Sequence, residues 1–263
     1  MANWDFDATG PIQADIQLPS GWVDVTAATT GKVRVSLTAA NSAGEKLLAD
    51  TEVSFQGESL RVHTPTRSAR HNASLRLAVE LPEGSTINAK TASADLRFDG
   101  ELGPLHATTA SGDITAERVS GDANLTTASG DIRLGEVTED VRVTTASGDL
   151  LIDEAGGDVI AKTASGDVRV GQAGRSVTAK TASGDVQIES IASGLADTTT
   201  VSGDVTVGVA PGVTLYMDIS TLTGDVRSSL DSELGGAEEE ATLTLSCRSV
   251  SGDVRITRAH SSR

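Results

Sequence analysis

Between residues 96 and 191 the apolar positions come in short runs of period two. Leu96 and Phe98 flank Arg97, Val141 and Val143 flank Arg142, and Val168 and Val170 flank Arg169. A period of two sends the aliphatic side chains to one face and the arginines to the other, which is strand behaviour. The spacing of three and four that an amphipathic helix needs is missing from these runs. Turn residues punctuate them at a fixed interval, in the phrase Thr-Ala-Ser-Gly-Asp that opens at Thr109, Thr127, Thr145, Thr163 and Thr181.

The acid closing each phrase measures the repeat. Asp95, Asp113, Asp131, Asp149, Asp167 and Asp185 follow one another at steps of 18 residues, the first in the variant phrase TASAD. Later copies end at Asp204, Asp225 and Asp253 after steps of 19, 21 and 28, which read as insertions. A half-period is marked by Asp122, Asp140 and Asp158, each followed by a short alternating run, and by Ser176 in the next copy. Each unit therefore holds two short strands and two turns. One such unit cannot bury its own apolar side, whereas stacked copies bury a continuous strip and pair every strand above and below. The expected fold is all-β, a flattened parallel β-solenoid of ~18-residue coils with irregular capping ends. Extending the alternation upstream puts Val159, Ala161, Thr163 and Ser165 inside, with Lys90, Lys162 and Lys180 in solvent. The opposite phase would bury Ala110, Ala128, Ala146, Ala164 and Ala182.

The ends depart from the repeat. Residues 1–85 contain alternating runs such as IQADIQLPSGWVDV, KVRVSL, TEVSF, SLRVH and SLRLAVELPEG, with turn signals at 19–21, 29–31 and 82–84 and a short helix expected within 41–50. After EEEA come a strand, a turn and a last strand, with Glu238 to Glu240 in a solvated loop. Open strand edges promote sheet-to-sheet association, so terminal segments of different sequence are expected to cap them. The expectation is one solenoid domain over 1–263: irregular strands and a cap to 85, regular coils over 86–226, and C-terminal strands and a cap over 227–263.

Composition narrows the function. The formal charge of −16 disfavours nucleic acid and anionic membranes. With 2% aromatic residues the core must be aliphatic, and the stacking platforms common in sugar-binding solenoids are missing from the coils of strict 18-residue step, since Trp4, Trp22 and Tyr216 lie outside them. Cys247 continues the alternation of Leu243 and Leu245 and reads as a small buried residue rather than a reactive thiol. His63, His71, His106 and His260 are scattered without metal-ligand spacing. G-x-S-x-G, G-x-G-x-x-G and Walker motifs do not occur. No catalytic residue, cofactor or enzymatic activity is expected. The start MANWDFDATG lacks the features of a signal peptide, and no apolar run approaches the ~18 residues of a membrane span. A cytoplasmic chain is expected, without membrane insertion and reaching the envelope only through a partner.

The stacked acids are the one constellation that asks for a role. At ~5 Å, neighbouring carboxylates repel by about 0.8 kcal/mol in water and about 3 kcal/mol at an effective dielectric of 20. Two things could offset this. The carboxylate of an Asp after Gly can accept backbone N–H bonds within its own turn, each charged bond contributing about 1.5–3 kcal/mol. Alternatively Asp113, Asp131, Asp149, Asp167 and Asp185 could line up cations, as in calcium-binding β-rolls. Against that, Thr163 and Ser165 stand where the roll motif has glycines, and Arg169 where it has an apolar residue. The turn role is the expectation and the metal role the weaker candidate.

LPEGSTINAKTASADL (81–96), the TASGD copies to Asp185, TVSGDV, TLTGDV and SVSGDVRI together resemble the bacterial putative-adhesin domain family of unknown function, with its TxSGD-type repeats. QLPSGWVDV and FQGESLRV resemble the opening of its actinobacterial members. The resemblance covers nearly the whole chain and implies a β-solenoid with no established reaction. The expected function is a non-catalytic structural or binding module, an adhesin-like scaffold presenting flat sheet faces, and residues such as Arg97, Arg133, Arg142 and Arg169, to an unidentified protein partner. Self-association into a structural element and a calcium-binding roll are the alternatives.

Overall fold

The computed structural model describes residues 1–65, 73–230 and 242–259. His71, His260 and Glu238 to Glu240 lie outside the described residues. The fold is an all-β parallel solenoid with a single short helix among the described residues. Two compact units can be distinguished, residues 1–133 and 134–263.

The first unit contains β1 (Ala2–Asp7), β2 (Gln13–Ala28), β3 (Lys32–Ala39), α1 (Gly44–Asp50), β4 (Glu52–Gln56), β5 (Ser59–His63), β6 (Leu75–Pro82), β7 (Thr86–Leu102), β8 (Leu105–Thr108), β9 (Ile114–Val119) and β10 (Ala123–Thr126). Strand β2 pairs in parallel with β5, β6 and β7, and β7 in turn with β8 and β9. Strands β1, β3 and β4 run antiparallel to their neighbours, which makes this region the irregular start of the coils. The helix expected within 41–50 forms, with Leu47 buried and its carbonyl accepting from the Thr51 hydroxyl. The turn expected at 19–21 does not form. Strand β2 runs through it, because Gly21, at φ +126°, bends the chain while the pairing of Ser20 with Ser93 and Gly21 with Ala94 continues. The TASAD copy is likewise uninterrupted within β7, with Ala94 buried where later copies place an exposed turn.

Strand β11 (Ile132–Val137) spans the boundary between the units. The second unit contains β12 (Val141–Thr144), β13 (Leu150–Ala155), β14 (Val159–Lys162), β15 (Val168–Ala173), β16 (Val177–Lys180), β17 (Val186–Ile191), β18 (Gly194–Ser202), β19 (Val205–Val209), β20 (Leu215–Thr223), β21 (Val226–Ser228), β22 (Leu243–Ser251) and β23 (Val254–Arg258). All the pairings described for it are parallel and build two columns of strands. One runs β12–β14–β16–β18–β22–β20 and the other β13–β15–β17–β19–β23–β21. Val141, Val159, Val177, Ala196 and Leu245 stack in the first, and Leu150, Val168, Val186, Val205 and Val254 in the second, all buried. Full burial of each valine contributes about 1.5–3 kcal/mol, so each added coil extends a continuous aliphatic core.

Two expectations change here. The phase is correct for threonine and wrong for serine. Thr109, Thr127, Thr145, Thr163 and Thr181 are buried, whereas Ser165 is exposed along with Ala164. The strand ends at the residue before the threonine, which still faces inward, and the serine already belongs to the corner. The C-terminal strands also do not close the stack. Strands β22 and β23 sit between β18–β19 and β20–β21, so the coil earlier in sequence is the outer one.

Candidate functional site

Each TASGD corner is built by contacts to the coil beneath it. In the second unit the Gly166 amide donates to the Ser183 carbonyl and Val168 to the Asp185 carbonyl, both at 2.9 Å. The Thr181 hydroxyl donates to the Gly166 carbonyl at 3.2 Å, and Thr200 to Gly184 at the same distance. The hydroxyls of Thr181 and Thr200 are thus satisfied by glycine carbonyls of a neighbouring coil, whereas the buried hydroxyl of Thr145 has no hydrogen-bond partner among the described residues. The glycine is required at this place. Gly184 has φ +144°, and a Cβ on it would collide with the Gly166 carbonyl oxygen.

The acids bond between coils. Asp149 Oδ1 accepts the Asp167 amide at 2.9 Å, Asp167 Oδ1 the Asp185 amide at 2.8 Å, and Asp185 Oδ1 the Asp204 amide at 2.8 Å. In the first unit Asp95 and Asp113 accept from Asp113 and Asp131 at 3.2 and 2.9 Å. The expected acceptor role is therefore present, but its donors lie one coil away rather than in the same turn. A second ladder occupies the opposite corner, where Asp140 accepts the Ser176-preceding rung's amide, that of Asp158, at 2.9 Å and Asp158 accepts that of Ser176 at 3.2 Å. Arginines two residues on neutralise part of the row, with Arg133 3.0 Å from Asp131 and Arg227 2.8 Å from Asp225. Among the described residues no group of three or more His, Cys, Asp or Glu is placed to hold a metal ion. Of the described histidines, His63 meets Gln17 at 3.1 Å and His106 is exposed.

The sequence pattern did not reveal a groove on the outer face of β13, β15, β17, β19 and β23. It has a volume of about 570 Å³ and is lined by Asp153, Arg169, Gln187, Glu189, Thr206 and Arg258, among others. Its floor carries Gly171 and Gly208, where added Cβ atoms would strike the carbonyl oxygens of Asp153 and Glu189. Close backbone approach at these glycines keeps the floor low. Arg169 Nε donates to Gln187 Oε1 at 3.2 Å across adjacent coils. Charges of both signs therefore line a shallow, solvent-open cleft. The glycine at the fourth place in VRVGQA and VTVGV was the available signal, legible only once the coils are stacked. Arg97, Arg133 and Arg142 are exposed outside this groove.

The family model for Toastrack DUF4097 matches residues 14–257. The chain belongs to this family. Among solved structures, it is similar over 97% of its length to a "putative adhesin" of Bacteroides fragilis NCTC 9343, with 13% identity, 96% of that chain covered and a TM-score of 0.55. A "putative adhesin" of Parabacteroides merdae ATCC 43184 aligns over 98% of this chain and 96% of its own, with 10% identity and a TM-score of 0.41. At such identities the first likeness concerns the fold alone. No curated protein matches the sequence. Among the described residues no helix is long and apolar enough to cross a membrane.

Proposed function

We propose that this Toastrack chain is a non-catalytic binding module that holds a protein partner against the outer face of its strands, at the groove over β13, β15, β17, β19 and β23. The observation that carries the reading is the groove itself, a concave strip crossing five stacked strands of the second unit. Its lining offers Asp153 and Glu189 as acceptors and Arg169 and Arg258 as donors, which suits a polar, extended segment. The acid ladder has a structural role in this reading, because its carboxylates already serve backbone amides of the next coil. The adhesin label carried by the Bacteroides fragilis relative agrees with a partner-binding scaffold.

A photo-crosslinking residue at Gln187 tests this in cells that naturally make the protein. The expected result is one discrete adduct that disappears when Arg169→Glu is added and the melting temperature is unchanged. A lack of any adduct, or an adduct indifferent to Arg169→Glu, overturns the assignment of the groove.

A further inference from the structure

The outermost described coil of the second unit, β20 and β21, is built like a buried one and covered by nothing among the described residues. Strand β20 pairs with β22 and β21 with β23, each through one edge. Its inward positions continue the core columns, Met217 on Leu245, Ile219 on Cys247 and Val226 on Val254. Leu245, Cys247 and Val254 are wholly buried, whereas Met217 is 45% and Val226 49% exposed. The outward side is also apolar. Leu222 is 81% and Tyr216 60% exposed, and Val201 and Val250 are exposed at the equivalent corner position of the two coils beneath. The exposed large apolar side chains thus concentrate on the last coils, a pattern that marks an interaction surface. Both strand columns stop at the same coil, so among the described residues two rows of backbone N–H and C=O groups end together without a strand partner.

We propose that this open end docks against the same end of a second copy of the chain, forming a two-fold dimer in which β20 pairs antiparallel with β20 of its partner. Three observations select that occupant. First, a two-fold axis lying across the strands satisfies the edges of both columns at once, as an isologous interface requires. Second, β20 is self-complementary about Ile219. Antiparallel pairing there sets Tyr216 opposite Leu222 and Asp218 opposite Ser220, so two exposed apolar residues meet and the acid avoids its own copy. Third, the described edges of the first unit are of a different kind, since β1 and β4 run antiparallel to their single partners and so do not continue the parallel columns that end at β20 and β21. These two strands are drawn together by Phe6 stacked on Phe55, with ring centroids 5.2 Å apart, and Leu47 of α1 is buried. The inference is independent of the groove proposal, since the groove and the open end share no residue named for either.

Sedimentation of the full chain at micromolar concentration is the test. The expected mass is twice 26.9 kDa, with Leu222→Arg raising the dissociation constant at least about 100-fold while the far-UV circular dichroism spectrum stays the same. Cysteine pairing fixes the geometry. Mixing Tyr216→Cys chains with Leu222→Cys chains, each also carrying Cys247→Ala, should yield a crosslinked heterodimer under mild oxidation, while either variant alone yields little. Tyr216 opposite Leu222 across antiparallel strands lies within the reach of a disulfide. A monomer at every concentration, with Tyr216 shielded from solvent quenchers, would mean that another part of the chain covers the end, and the proposal would fall. A dimer insensitive to Leu222→Arg would overturn it equally.

Discussion

The amide of Asp253 donates to Oδ1 of Asp204 at 2.8 Å, although 49 residues separate them. Asp225, which lies between them in sequence, instead donates to Asp253 at 2.9 Å. The spatial order of the last three rungs is therefore 204, 253, 225. The coil 215–228 has its seat only after 243–258 has been laid down, so the last strands of the solenoid support the ones before them.

This exchange predicts an asymmetry between two deletions. A chain ending at residue 241 should lose hydrogen-exchange protection throughout β20 and β21, because their only described strand partners are gone. Removing 212–230 should leave β22 and β23 protected on β18 and β19. Protection of 215–228 in the first deletion would show that the coils stack in chain order.

The glycine of the corner carries two constraints, positive φ and close approach of a carbonyl. Gly184→Ala should destabilise the fold by about 3 kcal/mol or more, since the backbone must shift in two coils. Gly57→Ala meets open space at φ +62° and should cost only about 1 kcal/mol, and Gly10→Ala, in open space without a positive φ, almost nothing. Urea unfolding of the three variants measures the series. Equal costs at Gly184 and Gly57 would remove the inter-coil contact from the explanation.

The carboxylate ladder predicts how its members respond to substitution. Asp167→Ala leaves the Asp185 amide without its acceptor at a solvent-accessible corner and should cost about 1–2 kcal/mol. Asp167→Asn keeps an oxygen in place and relieves like-charge repulsion, so it should cost less than half as much. If the bonds replace a cation, millimolar calcium and excess chelator should leave the melting temperature equal. A rise with calcium would restore the metal reading of Asp113, Asp131, Asp149, Asp167 and Asp185, since a ligand of the folded state must stabilise it.

Much of the architecture was legible because the repeat is strict. A period-two pattern at 18-residue steps specifies parallel stacking almost uniquely, and Val168, Val170 and Thr163 fell on the side expected. Ser165 did not, because alternation stops where the corner begins, and sequence alone does not mark that residue. The order 204, 253, 225 was hidden for another reason. Successive coils present nearly the same edge, and the TLTGD and SVSGD phrases are too alike for their sequence to say which takes the inner seat. The PSG of residues 19–21 looked like a turn, yet Gly21 serves as a bend within a paired strand. The groove depends on glycines brought into line by stacking, a relation between coils that no single run displays.

Cys247 supplies the final prediction. It lies wholly buried on β22, in register with Thr198 and Ile219. Burial pushes its thiol above the usual range, the neighbouring Thr198 side chain pulls partly the other way, and nearby Asp197 adds to the upward shift. The thiol should therefore resist a thiol-specific disulfide reagent in the native protein and react at once in urea. The stability follows the same sign. A thiol pKa higher in the folded than in the unfolded chain contributes fully below the unfolded value, and that contribution is lost as alkaline pH rises through the folded value. Cys247→Ala should flatten this alkaline fall, at a cost for the cavity it leaves, while Cys247→Ser should cost more by placing a hydroxyl in an aliphatic column. Rapid labelling of the native chain at neutral pH would instead mean that β20 and β22 separate readily, and that the outer coil opens on the timescale of the reagent.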